Sequence, residues 1–265
     1  MRIVPLILAI LLVSIRSFAA VDVHDLGVPN GWSAQEYDDY GNDLLNKKKY
    51  AESRKYFAAA IRLEPTRWTA FYNRATAFRM EKNWKAAIGD LNETIRLEPA
   101  FFRASWDRAA TYESMGNYAA ALRDLDTLQK MTYQTSNPDE QAWVFNQRAS
   151  LRATCPDASF RDGKAATADA KKACDLARWG RASYIDTLAA ACAEMGDFDS
   201  AVRYEHQAID LNRSGKDDSV KKTGSLEGDK IAVKAAEYAQ KELPDYLKRL
   251  ELYKQHHPYR IARPQ

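Results

Sequence analysis

A segment of this chain repeats itself at a fixed interval. Arg62-Leu63-Glu64-Pro65 returns as Arg96-Leu97-Glu98-Pro99, and Asn73-Arg74-Ala75 returns as Asp107-Arg108-Ala109, each 34 positions later (62 to 96, 73 to 107). A period of this size marks stacked supersecondary units, none of which buries its apolar face alone. It predicts a solenoid, and solenoids typically present extended surfaces to partners.

Each period holds two helical patterns separated by a polar turn. Tyr37, Gly41 and Leu44 share a face, as do Ser53, Phe57 and Ala60 in the segment that follows. Pro65 cannot continue the helical ladder and ends the pair. The same layout recurs over 68–101 and 102–135, the latter with a turn at Gly116-Asn117. A longer connection is expected over Thr132–Glu140. An irregular fourth unit over 142–181 follows, with an insertion of about five residues around Cys155-Pro156-Asp157, and then a regular fifth unit over 182–213. Gly41, Ala75, Ala109, Ala149 and Ala189 hold one equivalent place, and Ser53, Ala87, Ala121, Ala166 and Ala201 hold another. Small side chains there let paired helices approach closely, whereas a bulkier one would cost about 1–3 kcal/mol.

The flanks read differently. Residues 1–19 carry Arg2, an apolar run from Ile3 to Ile15 and a small-residue cut site at Ser17-Phe18-Ala19, the pattern of a cleaved export signal. The run falls short of the roughly 20 residues of a spanning helix, so no stable membrane insertion is expected after cleavage. An exported location is expected, periplasmic or secreted. Residues 20–33 form a lead-in and 214–229 a flexible polar insert. A capping helix or pair over 230–255 carries the stripe Ile231, Ala235, Tyr238, Leu243, Leu247, Leu250 and Tyr253, and a tail covers 256–265. The formal charge of +3 falls by two if Arg2 and Arg16 are removed. With no basic stripe elsewhere, this argues against nucleic acid as a partner.

The paired helices resemble tetratricopeptide repeats. The small residues above stand at that family's eighth and twentieth places. Tyr50, Trp84, Tyr118 and Phe198 match its aromatic place, and Pro65 and Pro99 match its proline. The likeness covers Ala34–Asn212. The stretches at Ala153–Asp157, Leu188–Ala191 and Gly196–Asp199, with Arg249–Lys254, resemble a subtype of bacterial exported repeat proteins. The resemblance implies an all-α right-handed superhelical solenoid with a C-terminal capping helix. It also implies a concave groove lined by first helices, which would display Asn42, Tyr72, Thr76, Arg79, Arg103, Trp106, Trp143 and Asn146 to a protein or peptide partner. Of these, Trp106 and Trp143 stand out because aromatic anchors carry much of the energy at interfaces; the competing reading packs them beneath the cap or the long connection. Asn42, Asn73 and Arg103 sit where the family's carboxylate-holding cluster has members, but Asp38 and Asp107 would repel a carboxylate.

Other residues carry bland readings. Arg74, Arg108 and Arg148 recur at one phase and are expected to cover apolar surface with their stems while their heads reach solvent or an acid. Glu36, Asp38 and Asp39 read as a solvated face. Cys155 and Cys174 fall toward opposite ends of a hairpin, roughly 18 Å apart at 1.5 Å per residue, too far for a disulfide; buried free thiols are expected. His24, His206, His256 and His257 show no metal spacing, and no phosphate loop or nucleophile constellation appears, so no cofactor, metal or catalytic site is expected. The reading is a non-enzymatic interaction scaffold in an exported complex. Two alternatives stay open: a helical-repeat enzyme acting on cell-wall carbohydrate, which needs two inward carboxylates about 5–10 Å apart, and a self-assembling structural protein.

Overall fold

A computed structural model describes residues 22–135, 137–214 and 241–263. The expected export signal 1–19, nearly all of the expected insert 214–229 and residues 230–240 of the expected cap lie outside the described residues. Among the described residues every regular element is a helix, and no helix is long and apolar enough to cross a membrane. The chain divides into two compact units, Met1–Ala100 and Phe101–Gln265.

The first unit contains a 3-10 turn at His24–Leu26 and four helices: α1 (Ala34–Asn46), α2 (Tyr50–Leu63), α3 (Trp68–Met80) and α4 (Trp84–Leu97). α1 begins with a capping box. The Ser33 side chain accepts from the Glu36 N–H, and the Ser33 N–H donates to the Glu36 carboxylate at 2.7 Å. α1 pairs with α2 and α3 with α4, and α3 also packs on α2. The lead-in belongs to this core. Val23 and Val28 are buried with Tyr37, Leu44 and Tyr56, and the Trp32 ring lies 5.4–5.9 Å from those of Tyr37, Tyr40 and Tyr56. Arg62 pairs with Asp25, and the Tyr37 hydroxyl donates to the Pro29 carbonyl.

The second unit holds α5 (Phe102–Ser114), α6 (Tyr118–Thr135), α7 (Pro138–Thr154), a 3-10 turn at Ala158–Phe160, α8 (Gly163–Leu176), α9 (Ala182–Glu194), α10 (Phe198–Arg213) and a last helix, α11, of which residues 241–254 are described. Consecutive helices pair as α5–α6, α7–α8 and α9–α10; α7 also packs against α6 and α9, and α8 against α9. The expected long connection is not there. α6 runs on to Thr135 and α7 starts at Pro138. Asn137-Pro138 is a helix start rather than a free turn: the Asn137 side chain accepts from the Asp139 and Glu140 N–H groups, and Pro138 takes the first helical position, where its missing N–H costs nothing. The first helix of the fourth hairpin therefore begins four residues before 142. The insertion around Cys155 forms the 3-10 turn, and the Asp162 N–H donates to the Arg152 carbonyl at 2.9 Å.

Every small residue at the two recurrent places is buried. At Gly41 the reason is direct: a Cβ there would stand 2.6 Å from Cε1 of the buried Phe57 ring. The turns recur in register too. Lys48, Lys82, Gly116 and Gly196 occupy equivalent places, and all have positive φ. The next N–H donates back into the helix, from Lys49 to Leu44, Asn83 to Phe78, Asn117 to Tyr112 and Asp197 to Cys192, at 2.8–3.0 Å. Asn83, Asn117 and Asp197 then cap the following helix.

All three cysteines are buried free thiols. Burial pushes Cys174 up to about 12 and Cys192 up to about 11, so both stay protonated and unreactive at neutral pH. The α11 stripe includes Tyr246, Leu250 and Tyr253, all buried, whereas Leu247 is exposed. The helical phase selects the 246–250–253 face, and Leu247 falls outside it.

Two outcomes are expected from this architecture. Gly41→Ala should destabilise the first unit by about 1–3 kcal/mol in urea unfolding, because the Phe57 ring has no room to retreat. Lys82→Gly should instead stabilise it by about 0.5–1 kcal/mol, since the left-handed backbone strain of a non-glycine residue exceeds the entropy cost of glycine.

Candidate functional site

The recurrent arginines are the polar frame on which the first helices are held. Arg74 on α3 makes a bidentate pair with Asp90 on α4, at 2.8 and 2.7 Å. Arg108 on α5 repeats it with Asp124 on α6 at the same two distances. Arg148 on α7 does so with Asp169 on α8, again at 2.8 and 2.7 Å. The sequence separation is 16 in the first two hairpins and 21 in the third, which absorbs the five-residue insertion. Arg148 also reaches Asp126 and Gln129, and Arg152 shares Asp169. The arginine heads thus meet acids within their own hairpins, and the bidentate fork fixes the helix pair in angle as well as distance. Where the first hairpin would place this pair it has Tyr40 against Tyr56, ring centroids 4.6 Å apart. The Asp partners were legible in principle as acids 16 residues after Arg74 and Arg108, and 21 after Arg148 where the insertion intervenes.

Asp38 is not part of a solvated face. It is buried and accepts from Arg67 Nε at 3.1 Å, Thr69 Oγ1 at 2.7 Å and Asn73 Nδ2 at 3.0 Å. It ties α1 to α3, and it engages Asn73 in structure rather than leaving it for a ligand carboxylate.

The residues expected to line a groove fall in both units. In the first, Asn42 is half-buried on α1, and Tyr72, Thr76 and Arg79 are half-buried along one face of α3. The Thr76 hydroxyl donates to the Tyr72 carbonyl at 3.1 Å. In the second unit three of the four residues come together. Trp106 of α5 and Trp143 of α7 stack with ring centroids 3.2 Å apart and planes at 23°. Phe102 sets its edge against both, at 5.8 and 6.2 Å. The Arg103 guanidinium lies 4.9 Å from the Trp106 centroid and 3.6 Å from the Asp107 carboxylate. Both indoles are half-buried against the core formed by Leu125, Leu128 and Val144. Neither packs beneath the cap or a long connection: each lies on the helices of its own unit and is partly open to solvent. Phe102, the third ring, was not singled out from the sequence, although it begins α5 one turn before Trp106.

Asn146 lies one turn beyond Trp143 on the same face of α7 and is buried. Its Nδ2 approaches Gln147 Oε1 at 3.5 Å, and its Oδ1 has no hydrogen-bond partner. A buried amide oxygen without a donor costs about 1–3 kcal/mol. The second unit therefore offers a half-open indole pair flanked by a guanidinium. Among the described residues no group of three or more His, Cys, Asp or Glu is placed to hold a metal ion.

No family model and no curated protein sequence matches the chain. Solved structures do match, and they define the fold as the all-α tetratricopeptide-repeat solenoid. MamA (41-end) from Desulfovibrio magneticus RS-1 superposes with a TM-score of 0.59 at 18% identity, covering 69% of this chain and 97% of that one. PilF of Pseudomonas aeruginosa gives 0.55 at 15% identity, covering 84% and 97%. The Cut9-Hcn1 hetero-tetramer of the APC/C gives 0.51 at 16% identity, covering 82% of this chain and 43% of the matched chain.

The arginine–aspartate frame predicts its own fragility. Asp169→Ala strands Arg152 and removes the bidentate partner of Arg148, which keeps Asp126 and Gln129, and should cost about 3 kcal/mol in denaturant unfolding, the low end for breaking a buried ion pair. Arg96→Ala, whose partner Glu93 is exposed like itself, should cost less than about 1 kcal/mol.

Proposed function

We propose that this chain is a non-enzymatic scaffold that binds an extended peptide segment on the first-helix face of its second unit. The observation that carries the reading is the Trp106–Trp143 stack. Two half-exposed indoles lie side by side at a surface framed by Phe102 and Arg103. Large rigid rings provide contact area at small entropic cost, and aromatic and arginine residues dominate binding hot spots. An extended peptide supplies what the site lacks, a side chain to cover the indoles. The polar frame favours a structural role for the buried acids, since Asp38, Asp90, Asp124 and Asp169 are each committed to an arginine. The scaffold is proposed to act after export, in a periplasmic or secreted complex. The apolar run Ile3–Ile15 and the small-residue site ending at Ala19 support this.

The test is a peptide library selected on the wild-type chain, followed by titration of the selected peptide. Trp106→Ala and Trp143→Ala should each weaken binding at least tenfold, as loss of a hot-spot residue does, with helical circular dichroism retained. Tyr133→Ala, exposed and set against the Phe145 ring rather than an indole, should bind like wild type. Unchanged affinity in both tryptophan variants would remove the stack from the binding account.

A further inference from the structure

Glu205 stands at a place where every other hairpin has an apolar or small residue. The equivalent positions are Phe57, Leu91, Leu125 and Ala170, all buried. Glu205 is buried as completely, with no exposed surface. It lies beside Asp186 of α9, also buried, and both face α11. Arg249 of α11 pairs with Asp186 Oδ2, much as Arg67 pairs with Asp38 in the first unit. The remaining titratable groups around the pair are Tyr246, Tyr253 and Glu242 of α11 and Tyr259 of the tail. Glu242 accepts from the Tyr246 hydroxyl at 2.7 Å.

The charges do not balance if every acid is ionised. Two carboxylates face one guanidinium; Glu205 is wholly closed to water, and Asp186 and Arg249 are nearly so. Both Glu205 oxygens, Asp186 Oδ1, Arg249 Nε and the Tyr253 hydroxyl have no hydrogen-bond partner. Two ionised carboxylates side by side hold no donor for each other. One proton on Glu205 changes this: it supplies an O–H directed at Asp186, leaves one anion for one cation, and removes the unpaired buried charge. Burial, then the neighbouring Asp186 charge, holds the Glu205 carboxyl well above the ordinary carboxylate range. Burial also raises Asp186, against the opposing pull of Arg249. Burial works against the Arg249 cation, but Asp186 and Glu205 more than offset it.

We propose that α11 is a proton-operated latch: its docking on the last hairpin captures one proton on the Asp186–Glu205 pair, and loss of that proton releases it. The core that α11 completes contains Ile185, Leu188, Ala208 and Ile209. Release uncovers that apolar face, the one on which a further hairpin or a partner helix would stack. The sign follows from the raised carboxyl. The docked state holds a proton that the undocked state gives up, so docking is strongest in the ordinary carboxyl range and weakens as pH rises toward the raised value.

The experiment is hydrogen exchange on the full chain, read as protection factors corrected for intrinsic rates, over residues 246–253 between about pH 7 and pH 9. A single captured proton makes wild-type protection fall about tenfold per pH unit. Glu205→Gln, which keeps the shape of the neutral acid, should hold protection flat. Glu205→Leu, the residue type at Leu91 and Leu125, provides a second variant with the same expected flatness. Independently, infrared spectra of the wild type near pH 8 should show a protonated carboxylic acid band that Glu205→Gln lacks. The proposal is overturned by a flat wild-type profile, by an unchanged slope in the variants or by the absence of the wild-type band. It is overturned equally if α11 is unprotected in both variants at every pH, for the carboxyl itself, and not its proton, would then be what docking needs.

Discussion

The close approach of two helices within each hairpin is the constraint on which everything else depends. A helix pair of 13 or 14 residues each, such as α3 with α4, buries little on its own, and its stability comes from neighbours stacked against it. Stacking in register is possible only if every pair has nearly the same spacing. The small residues at the two recurrent places set that spacing, and Gly41 shows how little room remains, with the Phe57 ring already where a methyl group would go.

Small residues bring helices together but do not fix their angle. The bidentate Arg74–Asp90, Arg108–Asp124 and Arg148–Asp169 pairs do that in three successive hairpins. A planar guanidinium meeting a carboxylate through two parallel bonds tolerates little rotation. The geometry survives the insertion in the fourth hairpin because the extra residues go into the turn after α7, leaving the helices in phase. The turns obey the same economy: Lys48 and Lys82 accept the backbone conformation that Gly116 and Gly196 adopt without strain.

Against this uniform background the features proposed to be functional are departures from the repeat. Trp106 and Trp143 place large rings on a face that packing alone does not require to be aromatic, and they meet each other across α5 and α7. Glu205 places a carboxyl in the row of Phe57, Leu91 and Leu125. Departures of this kind locate function better than the repeat does, because the repeat is accounted for by stability alone.

The period, the small residues and the turn glycines are local and recur in phase, so helix pairing and its order along the chain were legible in the residues themselves. So were the free buried thiols and the acid-seeking role of the recurrent arginines. The connection at 132–140 was misjudged because Asn-Pro signals both a turn and a helix start, and only the Asp139 and Glu140 N–H groups pointing at Asn137 decide between them. Asp38 was misjudged for a related reason. An acid on a helix looks solvated until the next hairpin brings Arg67, Thr69 and Asn73 over it. The indole stack joins residues 37 positions apart (106 to 143), and the Asp186–Glu205–Arg249 cluster joins residues 19 to 63 positions apart (186 to 205, 186 to 249). Periodicity determines which residues share a face. Tertiary packing alone determines which faces meet, and with that which polar atoms lose their water and what replaces it.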